Sequence, residues 1–406
     1  MYNVIVVGGG AAGMFAAYSA ARCGKSVALL EKNEKLGKKL YITGKGRCNL
    51  TNNVSVSDFL NNVVRNPKFL YGALSELSPT DVINFFEEHG CALKTERGNR
   101  VFPESDKASD ITKTLQNVLI KSGVKIFLNT AALKIDIKDG KVCGVKTKSE
   151  IIPCESVIVC TGGISYPLTG STGDGYRFAE SFGHTVVDLK PSLVGIELKG
   201  NDFVSLQGLS LKNVAVSFAS GGKEIYHDFG EMLFTHFGVS GPIILSASCI
   251  LNRANAQNIT LKIDLKPALS EKVLNDRLIR ELETGKTKTI ANVMRLIVPH
   301  TLAETVLSRA GIYGDKRCCE ISKVERGNLL YVLKNLEFQV KGLRPIEEAV
   351  ITAGGVSVKE INPKTMESKL VKGLFFAGEV LDVDAFTGGF NIQIALSTGF
   401  TAGKNA

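Results

Sequence analysis

The chain opens on four consecutive apolar positions, Val4-Ile5-Val6-Val7, and a second apolar run, 26–30, follows a stretch of small residues at 11–21. Short unbroken apolar runs predict buried strands, and the small-residue stretch between them predicts a helix. Helical spacing returns at 58–66 and at 79–89, where Val82, Phe85 and Phe86 share a face and Pro79 follows Ser78 as a first-turn proline. It recurs at 108–122 through Ile111, Leu115, Val118 and Leu119. Short alternating segments fill 125–148, with an Asp139-Gly140 hairpin turn, and 157–160 is a buried strand closed by Thr161-Gly162-Gly163.

The texture changes at Pro191. Residues 193–265 alternate apolar and polar with glycine turns, which predicts an antiparallel β-unit. Residues 268–335 turn helical, with Leu274, Leu278, Ile279 and Leu282 in one stripe and further apolar groups at 294–298 and 302–307. From Arg344 the α/β character returns. Leu374-Phe375-Phe376-Ala377 reads as a buried strand running into Gly378-Glu379, and a helix follows at 392–400. The first and last blocks therefore read as one domain, 1–190 with 345–406. An insertion of 191–267 and 336–344 interrupts it, with a helical segment, 268–335, nested inside.

A chain of 406 residues exceeds one simple core, and 44% hydrophobic with 22% charged residues is ordinary globular composition. No apolar run reaches the roughly 18 residues of a membrane span. No secretory leader is read, because the N-terminus enters a strand at once. The nine cysteines include the adjacent pair Cys318-Cys319 but no CxxC, which argues against a zinc knuckle, a metal site or a dithiol motif. Cys318-Cys319 is read as packing. Scattered free thiols suit a reducing cytoplasm. Net charge is +9, and residues 22–47 concentrate eight cations against Glu31 and Glu34. Residues 191–345 add 20 cations against 15 acids. Such a surface attracts phosphates, of a nucleotide or of RNA, although part of the excess fits an ordinary solvated face.

Gly8-x-Gly10-x-x-Gly13 lies between the first strand and the first helix, and Glu31 closes the second strand 18 residues after Gly13. Gly8 permits the tight turn, Gly10 lets a pyrophosphate approach the backbone, and Gly13 lets helix and strand pack closely. The helix N-terminus offers N–H groups to phosphates, and Glu31 can accept from a ribose hydroxyl. Ala12 inside the motif, and Lys32 and Lys39 in the cationic run, are counted with the cofactor-binding residues.

Glycine-marked segments at 157–163 and at Gly373–Glu379 complete the pattern of two-dinucleotide-binding-domain flavoproteins. Four loops extend the match: Gly44-Lys45-Gly46-Arg47-Cys48-Asn49-Leu50-Thr51-Asn52; Thr161 to Pro167 with Gly170 to Gly175; Phe234 to Pro242; and Ala377 to Asp384 with Thr387-Gly388-Gly389-Phe390-Asn391-Ile392-Gln393. Across essentially its whole length the chain resembles the BaiN/RdsA family of NAD(P)/FAD-dependent oxidoreductases. The resemblance implies an α/β fold: a Rossmann-like FAD-binding domain interrupted by an inserted β-barrel that carries a nested helical subdomain. It implies FAD held by Gly44, Arg47, Cys48 and Asn49, by Thr161, Gly162 and Gly163, by Gly378 and Glu379, and by Gly388, Gly389, Asn391 and Ile392. Glu379 stands where an aspartate usually binds the ribityl chain.

Cys48 has no partner cysteine in its loop, so a dithiol relay is excluded and electrons must leave the flavin directly for substrate. No second GxGxxG is present, so NAD(P)H is expected as a transient electron donor. Three residues are catalytic candidates. Cys48, beside Lys45 and Arg47, is expected to have a lowered pKa and could then donate or accept a proton at a substrate carbon, but the preferred reading is a small packing residue in a loop whose backbone grips FAD. His236 is expected to polarise a substrate carbonyl or contact a phosphate, or else to make a structural hydrogen bond in the barrel. Asp382, with Asp384, is expected to orient the flavin's surroundings or act as acid, or else to form a solvated pair. N–H groups near Asn391 and Gln393 at a helix start would stabilise negative charge at the flavin N1–C2=O edge, alongside capping. The expected reaction is hydride transfer from reduced flavin to a polarised C=C bond. The resemblance offers uracil in ribosomal RNA, giving dihydrouridine, or small enones such as 3-oxo bile acids. The basic balance favours RNA, and a non-enzymatic FAD-containing RNA assembly factor is the remaining alternative.

Overall fold

The computed structural model describes residues 1–254 and 257–406. They divide into two compact units, Met1–Ser192 with Pro345–Ala406, and Leu193–Arg344.

The first unit is built on a seven-stranded sheet. Its parallel part sets β6 (Lys125–Phe127), β2 (Val27–Leu30), β1 (Tyr2–Val7) and β9 (Ile151–Val159) side by side. The start of β9 continues antiparallel into β8 (Lys141–Lys146) and β7 (Lys134–Lys138), the hairpin turned at Asp139-Gly140. The end of β9 also receives β18 (Leu374–Phe376) in parallel, which brings a strand from the far end of the chain to within one strand of the N-terminus. Smaller sheets join β3 (Thr51–Asn52), β5 (Arg100–Pro103) and β4 (Leu93–Glu96), and pair β10 (Val186–Ser192) with β17 (Ile351–Val356).

Helix α1 (Ala11–Arg22) crosses from β1 to β2, and α12 (Phe390–Asn405) closes the chain. The two pack backbone against backbone. A Cβ at Gly399 would stand 2.2 Å from the Ala12 carbonyl oxygen, and one at Gly403 2.1 Å from that of Ala16. The Ser19 hydroxyl donates to the Phe400 carbonyl at 2.7 Å across the same seam. The small residues at 11–21 therefore mark a close approach.

Between β3 and β9 lie α2 (Val56–Leu60), α3 (Tyr71–Glu76), α4 (Pro79–Glu88) and α5 (Ala108–Lys121), and α6 (Asp174–Ser181) follows β9. Helix α4 starts as expected, with Ser78 and Asp81 forming a reciprocal capping box ahead of Pro79. The helix expected at 58–66 is instead α2, which ends at Leu60. Pro67 disfavours helical geometry in the residue before it, and Asn66 takes a left-handed φ of 53°.

The second unit is a closed antiparallel barrel in the order β11 (Ile196–Leu198), β14 (Gly238–Ser240), β13 (Lys223–Thr235), β12 (Ser210–Ser220), β15 (Thr260–Asp264) and β16 (Leu336–Leu343). Helix α7 (Pro242–Leu251) interrupts the region expected to form an antiparallel β-unit. Its run Ile243-Ile244-Leu245 is unbroken apolar, a pattern that does not separate helix from strand. Between β15 and β16 lie α8 (Glu271–Thr284), α9 (Ile290–Met294), α10 (His300–Arg309) and α11 (Lys323–Lys334). Leu274 and Leu278 of the predicted stripe are fully buried, and they join Val216, Phe218 and Phe234 of the barrel in one apolar core.

Gly403→Ala tests the α1–α12 seam. Alanine gains about 1 kcal/mol of helix propensity over glycine, but a Cβ 2.1 Å from a backbone oxygen forces the helices apart. Overpacking typically costs about 1–3 kcal/mol, so the thermal midpoint should fall. Gly327, inside α11, has no atom within 4 Å of an added Cβ. Gly327→Ala should raise the midpoint in the same melting experiment.

Candidate functional site

The glycines after β1 divide into two kinds. Gly8 has a φ of 103°, and its Cβ would lie 2.5 Å from the Cys160 carbonyl oxygen; a Cβ at Gly13 would lie 1.8 Å from the Gly8 oxygen. The chain itself demands glycine at both. Gly10 is different: its φ of −80° suits any residue, and an added Cβ meets nothing within 4 Å. It is the N-cap of α1, and no side chain caps that end. Open space over an uncapped helix N-terminus is a fitting place for a pyrophosphate. The Glu31 carboxylate is buried beside it. Its Oε2 accepts from Gly9 N at 2.7 Å, and its Oε1 accepts from Asn33 N at 2.8 Å and Asn33 Nδ2 at 2.7 Å. Glu31 thus braces the glycine loop, while Oε2 keeps a lone pair for a ribose hydroxyl.

Lys32 reaches away from this loop to Asp174 and Thr172, both at 2.6 Å. Burial opposes the Asp174 carboxylate, but Lys32 and Arg177 outweigh it and hold its pKa below the ordinary range. Lys32 therefore pins the 169–174 turn.

A second cluster gathers four distant segments. The Glu379 Oε2 accepts from Lys39 Nζ at 2.7 Å; its Oε1 accepts from Ser165 Oγ at 3.0 Å and from Thr352 N at 2.9 Å. Thr352 Oγ1 in turn accepts from the N–H groups of Ile164 and Ser165. A Cβ at Gly163 would lie 2.3 Å from Thr352 Oγ1 and 2.9 Å from Glu379 Oε1, so glycine is required there. Gly378, with φ 80°, sits against Ala12: an added Cβ would lie 2.7 Å from the Ala12 Cβ. The segment carrying Glu379 is thereby seated against the first turn of α1. Gly162 takes a left-handed φ of 71°, and the neighbouring Thr161 hydroxyl is buried with no partner among the described residues. Ser165 and Thr352 were not foreseen as members of this cluster.

The loop after Gly44 docks on the start of α12. The Asn49 amide bridges Gly389 N at 3.1 Å and Thr51 O at 3.2 Å. Asn52 Nδ2 donates to the Gly388 oxygen at 2.9 Å, and Thr51 Oγ1 donates to Gln393 Oε1 at 2.6 Å. Gly389 has φ 98°, and its Cβ would lie 2.4 Å from Thr51 O. The Asn391 amide is spent on closing its own loop through Ala385 N and O, and Gln393 is fully buried. What remains for charge stabilisation is the backbone at the α12 N-terminus, where Ile392 lies half-buried in the first turn.

The Arg47 guanidinium binds Glu96 and Asp106 and covers the Phe102 ring at 4.1 Å, which fastens the loop to the β4–β5 hairpin. Cys48 does not have a lowered pKa. It is fully buried, with a left-handed φ of 58°, and burial pushes its thiol up to about 12 against a weaker opposing hydrogen bond with Thr43. A neutral thiol with no solvent access is a packing group.

Asp382 is buried, not solvated. Its Oδ2 accepts from Arg65 Nε at 2.7 Å and Asn66 Nδ2 at 3.2 Å, and its Oδ1 has no partner among the described residues. Asp384 is also buried and accepts from the Ser192 hydroxyl. His236 belongs to the other unit. It is exposed between β13 and β14, with its ring edge-on to Phe237 at 5.1 Å.

The profile of the HI0933-like protein Rossmann domain family matches residues 2–405. The chain belongs to the HI0933-like family. Ribosomal RNA dihydrouridine synthase of Haemophilus influenzae is 33% identical to it over 402 residues, covering 98% of this chain and 96% of that one. The 3-dehydro-bile acid delta(4,6)-reductase of Clostridium scindens is 30% identical over 412 residues, covering 100% and 99%. Among solved structures, the open conformation of a flavocytochrome c3 fumarate reductase superimposes with a TM-score of 0.50 at 19% identity, covering 100% of this chain and 78% of that one, a likeness of fold. This HI0933-like chain therefore carries a Rossmann-type FAD-binding fold with a closed antiparallel barrel, and its family is one of flavin-dependent oxidoreductases. Among the described residues no helix is long and apolar enough to cross a membrane.

Gly10→Val should separate folding from cofactor binding. The side chain fills space that no protein atom uses, so the melting cooperativity of the apoprotein should persist while flavin absorbance after FAD reconstitution is lost. Full flavin occupancy would remove Gly10 from the pyrophosphate site.

Thiol labelling checks Cys48. At pH 8 a group with a pKa of about 12 is almost wholly protonated and does not attack an alkylating agent. Iodoacetamide should modify exposed Cys23, Cys143 and Cys319 in the native protein and leave Cys48 unmodified until the chain is unfolded.

Proposed function

We propose that this protein reduces the C5=C6 bond of uracil in ribosomal RNA to give dihydrouridine, using FAD and drawing electrons from NAD(P)H as a visiting donor. The observation that carries the reading is the near-full-length match at 33% identity to a ribosomal RNA dihydrouridine synthase. The net charge of +9 supports a polyanionic substrate. A ribosomal RNA substrate would place the work in the cytoplasm.

When bound and reduced by NAD(P)H, the flavin would supply the hydride that adds to one carbon of the polarised double bond. The chain supplies the rest. Backbone N–H groups at the α1 N-terminus would bind the pyrophosphate, and Glu31 a ribose hydroxyl. Lys39 and Glu379, fixed by Ser165 and Thr352, would hold the ribityl hydroxyls. The α12 N-terminus, set by Asn49 and Asn52, would favour negative charge on the flavin pyrimidine edge. Reduction of C=C also needs a proton at the second carbon, which solvent water would supply, and a donor that withdraws electrons from the carbonyl. We assign that polarising role to His236, whose imidazole is exposed and has no hydrogen-bond partner among the described residues. Asp382, engaged by Arg65 and Asn66, serves as an anchor.

A second reading has its own support. The bile-acid reductase relative matches over the whole chain at 30% identity, and an enone presents the same polarised C=C bond as uracil. Salt separates the two. Binding of single-stranded RNA should weaken with a logarithmic slope of about 0.7 per phosphate contact, whereas apolar burial of a steroid enone is insensitive to salt or slightly strengthened by it.

The test is mass-spectrometric comparison of ribosomal RNA from cells with and without this protein, alongside turnover of a steroid enone by the purified holoprotein. Dihydrouridine lost on deletion supports the proposal. Unchanged RNA with brisk enone reduction moves the substrate to the small molecule. RNA binding without reduction of either favours an assembly factor. His236→Ala should slow turnover on the true substrate while leaving flavin reduction by NAD(P)H intact; unchanged turnover removes His236 from the chemistry.

A further inference from the structure

Residues 60–71 carry features that the FAD cradle does not use. After α2 the chain turns through left-handed Asn66 into Pro67 and a single 3₁₀ turn, then starts α3 at Tyr71. A groove of about 420 Å³ opens there, lined by Leu60, Asn61, Pro67, Lys68 and Tyr71. This volume lies in the range of small-molecule sites. Tyr71 is 64% exposed, one of the largest aromatic surfaces left in water, and its hydroxyl has no partner among the described residues. Lys68 is exposed and makes no ion pair among them. No carboxylate lines the groove. The nearest acid in sequence, Asp58, is occupied with Ser55 at the start of α2.

The segment is also tied to the cofactor cradle. Val64 N donates to the Asp384 carbonyl at 2.9 Å, Phe386 N to the Asn62 carbonyl at 3.0 Å, and Asn66 Nδ2 to the Asp382 carbonyl at 2.6 Å. Residues 382–386 lead directly into Gly388-Gly389 and the α12 N-terminus. Arg65 is braced in the same place: its Nε holds the buried Asp382 carboxylate, and its two terminal NH2 groups have no partner among the described residues. Its side chain remains 38% exposed. An arginine with one edge fixed on a buried acid and the other free is oriented to receive an anion.

We propose that the Lys68–Tyr71 groove is a subsite for an unpaired nucleotide flanking the uridine that is reduced. The base stacks on the Tyr71 ring, and the phosphates meet Lys68 and the free edge of Arg65. An aromatic plane beside unpaired cations is the chemistry that binds single-stranded RNA without sequence preference. A bile acid carries one carboxylate and would engage at most one of these cations, and a neutral steroid enone neither. The subsite rests on the RNA reading above and gives it a location.

The test is equilibrium binding of a fluorescent single-stranded oligouridylate to the FAD-loaded protein at low salt, with wild type, Tyr71→Ala, Tyr71→Phe and Lys68→Glu. Tyr71→Ala should weaken binding about tenfold, as loss of one base–aromatic stack does. Tyr71→Phe should bind like wild type, and Lys68→Glu should weaken binding and flatten its salt dependence. FAD content, thermal midpoint and flavin reduction by NAD(P)H should be unchanged in all three. Wild-type affinity in Tyr71→Ala, or no binding by the wild type, overturns the subsite. A loss in Tyr71→Phe equal to that in Tyr71→Ala overturns stacking. The two proposals fail separately. If the wild type binds oligouridylate through Tyr71 but forms no dihydrouridine, the subsite stands and the reaction falls. If it forms dihydrouridine and Tyr71→Ala has an unchanged KM, the reaction stands and the subsite falls.

Discussion

Helix α1 is held at backbone contact on two sides, and the cofactor cradle depends on that fit. Gly13 brings it against the Gly8 carbonyl, and Gly399 and Gly403 of α12 bring that helix against the carbonyls of Ala12 and Ala16. Gly378 closes the third approach, over the Ala12 methyl. Dense packing of this kind leaves little room for rotation, because interiors are filled at crystal-like density. The α1 N-terminus is therefore aimed by its neighbours and needs no cap of its own. Both ends of the chain contribute, which is why a strand and a helix from beyond residue 370 belong to the same unit as the first seven residues.

Around that seam, polar side chains fasten loops that are far apart in sequence. Glu379 collects Lys39, Ser165 and the Thr352 N–H, and Asn49, Thr51 and Asn52 grip the Gly388–Gln393 turn. These bonds are partly shielded from water, so each contributes more than its exposed equivalent would. The same residues that would touch the cofactor also hold the cradle in shape before it arrives. Preorganisation of this sort reduces the ordering cost of binding.

The sequence made some of this legible and hid the rest for physical reasons. The roles of Gly8 and Gly13 could be read because tight turns and close helix–strand approach leave a local mark, glycine at fixed spacing. Ser78 with Pro79, and Asp139 with Gly140, are likewise local devices. Partnerships between remote side chains leave no such mark. Nothing within residues 40–50 indicates that Arg47 is claimed by Glu96 and Asp106, so in the sequence its charge reads as one that would lower the Cys48 pKa. Burial of that thiol depends on segments packed over it and outweighs a cationic neighbour in the chain. Thr352, the second residue of a strand rich in small residues, carries no signal of its contact with Glu379. Arg65 and Asp382 stand 317 positions apart.

Gly10 has a consequence for how the protein's thermodynamics can be dissected. Because the surrounding chain makes no demand on that position, substitutions of graded size there change ligand affinity with the folded state's own contacts held constant. Any ligand that binds only the native form adds RT ln(1 + [L]/Kd) to stability, about 2.7 kcal/mol at a hundredfold excess over Kd. A ladder of alanine and valine at Gly10, neither of which can cap the helix, would turn a shift in melting temperature into a direct reading of that linkage. The bound dinucleotide's share of the fold could then be measured apart from the share carried by packing alone.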